Sequence, residues 1–494
     1  MFHHRFVSCS AASVIALAVA SPVVAQDMTP SLAWAQLQGM AAGAGLTVTA
    51  RSTVDQGSAL EISGVRIFPT RHPDDLTVSM ETLRVEQRGA MTALIPSELV
   101  SVDTRFAGGI TRSFAVHHTG EIVGALTETD AALDLNFGSL TAQLLHAERD
   151  GTPMNEHMSL SLDGFAATMR AAREGAAEII IDAQTISYAL DMSDTRGKTV
   201  VRQSASGEVT RPHLDFAATE LDMMSDEPGA LRTAFEAGMS ARLNIGMEGS
   251  QGASDQQIDG THIALTSTGA GSSMSFNLVD GRFDGELRAG PVRIDVSQPA
   301  AGTVTADGAS LNVGLPLIVT PDDQPMRYAF SFDNVMPSPG LLELIGAGQF
   351  GGDSVSLALD LGADGRVTRE LGPDSADGDT PPFDISALRL DNLMVRVGDS
   401  EFTGTGAVAL IGGLMAQIGR PMPNANGDLT FNLIGGERLL TRLTAMGVVP
   451  NDQLFFVRMM MNGLGRSVGE DHLVSEVAIR PGGAITVNGA PLPF

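Results

Sequence analysis

Apolar and polar residues alternate along most of the chain, which is the pattern of strands that bury one face. The alternation is clear in residues 60–67, 76–85, 158–162 and 355–361. Between residues 261 and 319, short alternating segments such as 263–269 and 273–281 end in Gly, Asp or Pro, residues that turn the chain. We therefore predict a mainly β fold, a long antiparallel, meandering and curled sheet with a few capping α-helices.

Helical spacing is confined to a few segments that interrupt this pattern. The first covers residues 32–44, after Thr29 as cap and Pro30 in the first turn, and its apolar face is predicted to be Leu37, Met40, Ala41 and Ala44 with Trp34 nearby. A second helix is predicted over residues 226–239. Each of these helices is expected to cap the sheet.

A helical hairpin is predicted near the end of the chain, with helices over residues 437–446 and 452–461. Their apolar faces follow from helix spacing and are formed by Leu439, Leu440, Leu443 and Met446 and by Leu454, Phe455 and Met459. We expect both faces to lie against a sheet that includes residues 428–433 and 474–479, with Leu443 fully buried. The alternative is that the hairpin forms a mobile lid over a lipid groove.

The first 25 residues have the pattern of a secretory signal peptide. His3, His4 and Arg5 precede an apolar core over residues 7–20, and residues 23–25 place small side chains before a cleavage site after Ala25. The core is too short to cross a hydrocarbon layer of roughly 30 Å. We therefore expect a soluble protein that is exported to the periplasm.

Breaks in the pattern divide the chain further. An acidic, Pro-rich linker stands out, and a weaker break lies near residues 215–228. Because composition changes little across the breaks, the regions could form one sheet or several domains. The predicted regions are the signal peptide 1–25, an N-terminal helix and β region 26–227, a central helix and β-ladder region 228–371, the linker 372–382 and a C-terminal β unit with the helical hairpin 383–494.

Composition limits the classes of partner and chemistry. The net charge of −27 argues against nucleic acid or an anionic membrane surface as the main partner, since both would repel the chain. The single cysteine is Cys9, which export would remove with the signal peptide. The mature protein is then predicted to be cysteine-free and to hold no disulfide or thiolate metal site.

Two short motifs match catalytic or cofactor patterns by spacing alone. Residues 465–469 read G-x-S-x-G around Ser467, with Asp471 and His472 close behind, but they follow a helix and precede a strand. A hydrolase elbow needs the reverse order, so we predict a glycine-flanked loop. Residues 346–351 read G-x-G-x-x-G without the strand before and the helix after that a dinucleotide requires.

Histidine and aspartate spacings give no metal site. The paired His117 and His118 would point to opposite faces of a strand, and Asp374, Asp377 and Asp379 in the linker do not follow the calcium-loop spacing. We therefore predict no catalytic, cofactor-binding or metal-binding residues and no cofactor. The histidines outside the signal peptide are His72, His117, His118, His146, His157, His213, His262 and His472.

Both ends of the chain resemble a known family. The segments SLAWAQLQGMAAGAGLTVTA and LEISGV near the start, and GDLTFNLIGGERLLTRLTAMGVVP and GGAITVNGAPL near the end, are similar to those of domain-of-unknown-function family 2125. These are exported, β-rich proteins of alphaproteobacteria, with a more distant likeness to AsmA-like envelope proteins. The resemblance implies an exported β-rich protein and assigns no catalytic residue.

The apolar segments 410–422 and 454–461 suggest the kind of partner. We expect non-enzymatic binding of an apolar or cell-envelope component, such as a lipid or an outer-membrane segment. One alternative is a structural or chaperone-like envelope protein that binds polypeptides, and a third is a hydrolase with an unrecognised site. The ligand and the oligomeric state are left open.

Overall fold

Strands dominate the computed structural model, as the alternating pattern predicts. Among the residues that the structure describes, strand accounts for 68% and helix for 12%, with antiparallel pairing and five helices. The mainly β prediction is therefore confirmed. The structure describes residues 29–43, 45–126, 130–172, 176–196, 199–220, 230–344, 346–369, 382–418 and 424–492.

The described residues fall into two compact units. Unit 1 lies within Met1–Leu221 together with Gln256–Asp259, and unit 2 within Asp222–Asp255 together with Gly260–Phe494. Unit 1 holds one helix and the first fourteen strands. Their bounds are α1 Pro30–Gly43, β1 Leu46–Thr49, β2 Ser52–Asp55, β3 Ala59–Pro69, β4 Leu76–Arg88, β5 Met91–Pro96, β6 Leu99–Phe106, β7 Ile110–Leu126, β8 Asp130–Arg149, β9 Thr152–Pro153, β10 Asn155–Ala172, β11 Ala177–Asp182, β12 Thr185–Arg196, β13 Thr199–Thr210 and β14 His213–Thr219.

Unit 2 holds the remaining helices and strands. The last three residues of β15, 256–258, belong to unit 1. Their bounds are α2 Ala230–Glu236, β15 Ser240–Ile258, β16 Thr261–Val279, β17 Arg282–Ala289, β18 Val292–Gln298, β19 Gly302–Ala306, β20 Gly308–Pro316, β21 Gln324–Pro337, α3 Pro339–Leu344, β22 Val355–Val367, β23 Phe383–Val397, β24 Ser400–Leu410, β25 Ala425–Ile434, α4 Gly436–Ala445, α5 Leu454–Leu464, β26 Arg466–Gly469, β27 His472–Arg480, β28 Ala484–Val487 and β29 Ala490–Pro491.

Long strands in unit 1 pair with two shorter strands placed end to end. β4 pairs with β6 through residues 76–80 and with β5 through residues 83–88, and both short strands pair with β7. β10 repeats the arrangement with β12 and β11. Between these sites β7, β8 and β10 lie side by side, and all these pairings are antiparallel.

The same arrangement in unit 2 corrects one prediction. Residues 263–269 and 273–281 were expected to form separate strands, but β16 runs through both and pairs with β18 and β17 in turn. The partner strands β17 and β18 keep one register with β16, because Ala289 lies opposite Ser272 and Val292 lies opposite Gly269. Gly290 N donates to Gly271 O at 2.8 Å and Ala270 N donates to Pro291 O at 2.8 Å, so β16 stays extended across the break.

The core of unit 1 lies beneath α1. Thr29 caps the helix by accepting a hydrogen bond from Leu32 N at 3.2 Å. Trp34 is 8% exposed and packs in one cluster with Ile62, which is fully buried, and with apolar residues of β3, β4, β5, β8 and β10. Leu37 and Met40 pack against this cluster as predicted, and Ala44 lies outside the described residues.

Several predictions fall on parts of the chain that the structure does not describe. These are the signal peptide, the start of the helix predicted over residues 226–239, and Asp374, Asp377 and Asp379 of the linker. The strands on the two sides of residues 370–381 are neighbours in unit 2, because residues 355–367 of β22 pair with residues 383–397 of β23. Along the described part of the chain, no helix has the length and apolar character needed to cross a membrane.

Candidate functional site: an apolar sheet face

One face of the sheet in unit 2 is apolar across many strands. Directly opposite residues in an antiparallel pair share a face, so the register identifies its members. On β21 the members are Tyr328, Phe330 and Phe332, which lie opposite Leu361, Leu359 and Leu357 of β22. Their partners on β20 are Val313, Leu311 and Ala309. We call this surface the apolar face of unit 2.

The apolar face continues on both sides of β21. Toward the start of the unit, Leu311 lies opposite Leu287 of β17, which lies opposite Met274 of β16. In the other direction, Leu359 lies opposite Leu393 of β23, and Val395 next to it lies opposite Phe402 of β24. The face then reaches β25, β27 and β28, where its members include Leu429, Phe431, Leu433, Val477 and Val487.

Aromatic rings line much of this face. Phe330 lies between Tyr328 and Phe332, with ring centroids 5.9 and 6.3 Å apart. Phe402 and Phe431 stack with an interplanar angle of 3°. Gly404 makes room for this stack, since a Cβ there would lie 2.6 Å from Phe431 Cδ1. The rings give the face a smooth, apolar surface.

Much of the apolar face is open. Phe332 is 49% exposed, Tyr328 46% and Leu388 of β23 40%. Most other members are half-buried. An apolar surface of this kind on a folded protein is a candidate binding site, because its contact with water is unfavourable.

The opposite face of the same strands is polar and held by ion pairs. Arg327 and Asp360 form a bidentate pair at 3.0 and 2.7 Å, and hydrogen bonding to Arg327 lowers the pKa of Asp360 below its ordinary value. On β18 and β19, hydrogen bonds from Arg293 and then Thr303 lower the pKa of Asp295. The sheet thus separates its charges from its apolar surface.

Helix α4 is fixed at one end of these strands. The carboxylate of Asp471 accepts hydrogen bonds from Glu437 N at 2.8 Å and Arg438 N at 3.4 Å, which caps the helix. Leu440 is 3% exposed and is the buried leucine of the helix, whereas Leu443 is only half-buried. Both helices of the predicted hairpin are confirmed, but the prediction that Leu443 is fully buried is wrong.

Helix α5 is turned differently from the prediction. Phe455 is 78% exposed and Met459 52%, so the predicted contact of these residues with the sheet is wrong. The half-buried side chains are Leu454, Val457 and Met461. The sequence of α5 is apolar on nearly every side, so spacing alone could not select the buried one. In the observed rotation, Arg458 Nε forms an ion pair with Glu437 Oε2 at 2.9 Å.

Unit 1 also has an apolar face, which α1 covers at one end. Away from α1 it includes Val116, Leu140 and Leu162. His118 lies among them and is 7% exposed, with Nε2 2.8 Å from Ser97 O and Nδ1 buried without a hydrogen-bond partner. His117 is exposed, so the two histidines point to opposite faces as predicted.

An ion pair lies on another part of this apolar face of unit 1. Arg112 Nε and Nη2 donate to the carboxylate of Glu156 at 3.0 and 2.9 Å, and the Glu156 side chain is only 3% exposed. The Arg112 guanidinium also lies 5.4 Å from the ring centre of Phe106. Both charges are compensated, so the pair is a structural element of the face.

The catalytic motif around Ser467 does not form a triad. The residues form the short strand β26, where a loop was predicted, because they pair with β27. Ser467 lies opposite Leu473, so it faces away from the neighbouring His472, and its hydroxyl donates to Gly469 O at 3.2 Å. Asp471 is engaged with α4. Residues 348–350 form a single 3-10 turn after α3, which is no dinucleotide loop.

Three of the histidines each contact a carboxylate. His213 contacts Asp182 at 2.7 Å, His262 contacts Asp255 at 2.9 Å and His146 contacts Glu148 at 3.3 Å. Within the described ranges, no three His, Cys, Asp or Glu side chains are grouped so that they could hold a metal ion. Comparison of the chain with protein-family models, curated proteins and solved structures found no match.

Proposed function

We propose that the protein binds the acyl chains of a lipid on the apolar face of unit 2, as a non-enzymatic component of the periplasm. The observation that carries the proposal is the exposed apolar surface around Phe332, Tyr328 and Leu388. Long, flexible acyl chains match such a surface because burial of both partners releases water and demands little directional bonding.

The periplasmic location rests on the sequence of residues 1–25 and on the resemblance of both ends to the exported family. Lipids pass between membranes there and need a protein surface that shields their chains from water. The predicted alternatives differ in ligand: a chaperone-like protein would hold polypeptide, and a hydrolase would turn a substrate over. The position of Ser467 gives no support to the hydrolase.

The test is a pair of substitutions on opposite faces of β21. Phe332 lies on the apolar face and is 49% exposed, whereas Met336 lies on the polar face and is 42% exposed. A bound chain would cover roughly half of a phenylalanine side chain of about 200 Å², which is worth about 2.5 kcal/mol at about 25 cal/mol per Å². Phe332→Ser should therefore weaken binding about sixtyfold, and Met336→Ser should leave it nearly unchanged.

Two measurements decide the outcome. Lipids extracted from the natively purified protein are identified by mass spectrometry, and affinity is measured by titration with a fluorescent long-chain phospholipid. Loss of lipid and of affinity in Phe332→Ser alone would support the proposal. Equal behaviour of the two variants, or co-purification of peptide in place of lipid, would overturn it.

A further inference from the structure

Tyr328 places a hydroxyl group within the apolar face of unit 2. It belongs to a row of directly opposite residues whose other members have no side-chain group that forms hydrogen bonds. The members, in order from β16 to β28, are Phe276, Gly285, Val313, Tyr328, Leu361, Leu390, Gly406, Leu429, Val477 and Val487. We call this row the Tyr328 row. A ligand that lies along it meets one hydroxyl among apolar residues.

The neighbours of Tyr328 along the strands are apolar as well. Residues two apart on a strand share a face, and these neighbours on β20, β21 and β22 are Leu311, Leu315, Met326, Phe330, Leu359 and Ala363. Phe330 contacts the tyrosine ring edge to face, with ring centroids 5.9 Å apart. Tyr328 is 46% exposed, and its hydroxyl forms no hydrogen bond with another residue that the structure describes. The hydroxyl is therefore available to a ligand.

Tyrosine is rare in this chain, and its two positions are alike. The second tyrosine, Tyr188 on β12, is 43% exposed and lies opposite Leu160 on the apolar face of unit 1. A phenol combines an apolar ring with a hydrogen-bonding group, so it suits the boundary between the apolar and polar parts of a ligand. Both tyrosines thus lie where an amphiphilic ligand would place such a boundary.

We propose that the Tyr328 hydroxyl donates a hydrogen bond to the ester carbonyl of a bound acyl lipid. This inference rests on the proposed function, the binding of acyl chains on the apolar face of unit 2. The ester carbonyl is the first polar group beyond the acyl chain, so it is the group that a hydroxyl surrounded by apolar side chains would meet. Tyr328 then fixes the position of the lipid along the Tyr328 row and favours ester-linked over ether-linked lipids.

The test compares two phosphatidylcholines with the same chains, one ester-linked and one ether-linked. The ether-linked lipid lacks the carbonyl, and Tyr328→Phe removes the hydroxyl but keeps the ring. Displacement of a fluorescent phospholipid gives both affinities. Tyr328→Phe should weaken binding of the ester-linked lipid about fivefold, the loss of one neutral hydrogen bond of about 1 kcal/mol, and leave binding of the ether-linked lipid unchanged. The matched control, Tyr188→Phe, should change neither affinity.

A second measurement observes the hydroxyl directly. In the Tyr188→Phe variant Tyr328 is the only tyrosine, so a ¹³C label at tyrosine Cζ gives one resonance from the carbon that bears the hydroxyl. Saturation with the ester-linked lipid should move this resonance further than saturation with the ether-linked lipid. Equal movement would contradict a hydrogen bond to the carbonyl.

The outcomes separate the role of Tyr328 from the proposed function. No loss in Tyr328→Phe, an equal loss for the two lipids, or the same loss in Tyr188→Phe would overturn the inference. If Phe332→Ser weakened binding of both lipids and Tyr328→Phe weakened neither, acyl-chain binding would stand and the role of Tyr328 would be rejected. Failure of the unchanged protein to bind either lipid would reject both proposals.

Discussion

Replacement of Ile62 by alanine tests whether unit 1 depends on the core beneath α1. Ile62 is fully buried and packs in one cluster with Trp34, Leu60 and Val85. The substitution removes three carbon atoms, which is worth about 2.4 kcal/mol at about 0.8 kcal/mol per buried group, and the remaining cavity adds to this. We therefore expect a loss of about 3–4 kcal/mol in the free energy of unfolding.

Trp34 provides the assay for this prediction. It is the only tryptophan of the chain, and it is 8% exposed within the same cluster as Ile62. Its emission should shift to longer wavelength when denaturant unfolds unit 1. The midpoint for Ile62→Ala should fall in proportion to the lost free energy, with the slope of the transition unchanged.

The matched control is Val54→Ala in the neighbouring strand β2. Val54 is 55% exposed, so its truncation should change the free energy of unfolding by no more than about 0.5 kcal/mol. A loss below about 1 kcal/mol in Ile62→Ala, or an equal loss in Val54→Ala, would refute the assignment of the core to this cluster.

Three further predictions concern the packing of α4, the stability of the protein in acid and the export of the protein. In thermal unfolding, Leu440→Ala should lower the free energy of unfolding by about 2–5 kcal/mol and Leu443→Ala by clearly less, because Leu440 is 3% exposed and Leu443 is half-buried. Equal losses in the two variants would contradict the observed rotation of α4. Hydrogen bonding to Arg327 holds the pKa of Asp360 below 3.8, so the stabilisation from this pair is present above that pH and is lost as the pH falls through the lowered value. In denaturant titrations at several pH values, Asp360→Asn should reduce this acid-dependent loss of stability. An unchanged dependence of stability on pH would count against the pair. N-terminal sequencing of the protein from a periplasmic fraction should begin directly after Ala25, and an intact cytoplasmic Met1 would remove the basis for the location.

The strands were predictable because the alternation of apolar and polar residues within each strand indicates which side is buried. In β22 the leucines at 357, 359 and 361 alternate with Ser356, Ala358 and Asp360, and this period of two is independent of any partner. Helix α1 was predictable for a similar local reason, since Thr29 and Pro30 mark its start. These predictions needed only neighbouring residues.

The rotation of α5 needed information that its own sequence lacks. Nearly every position of LFFVRMMMNGL can face an apolar surface, so helix spacing does not separate Phe455 from Met461. Glu437 and Ser475, which form hydrogen bonds with Arg458 and Leu464 of the helix, come from other elements. The continuity of β16 was missed for the same reason, because the hydrogen bonds of Ala270 and Gly271 that keep it extended are made with Pro291 and Gly290 of the partner strands.

The continuity of the apolar face depends on irregularities that the alternating pattern does not reveal. On β21 the register shifts between Phe332 and Val335, and both residues lie opposite members of the same face, Leu357 and Val355 of β22. A strict alternation would have placed Val335 on the polar face, since a one-residue slip exchanges the two faces. The bulge at Asn334, which adopts a positive φ of 48°, restores the match. The apolar face is therefore a property of the paired strands, and we expect its continuity to be lost if this bulge is removed even though every apolar residue remains.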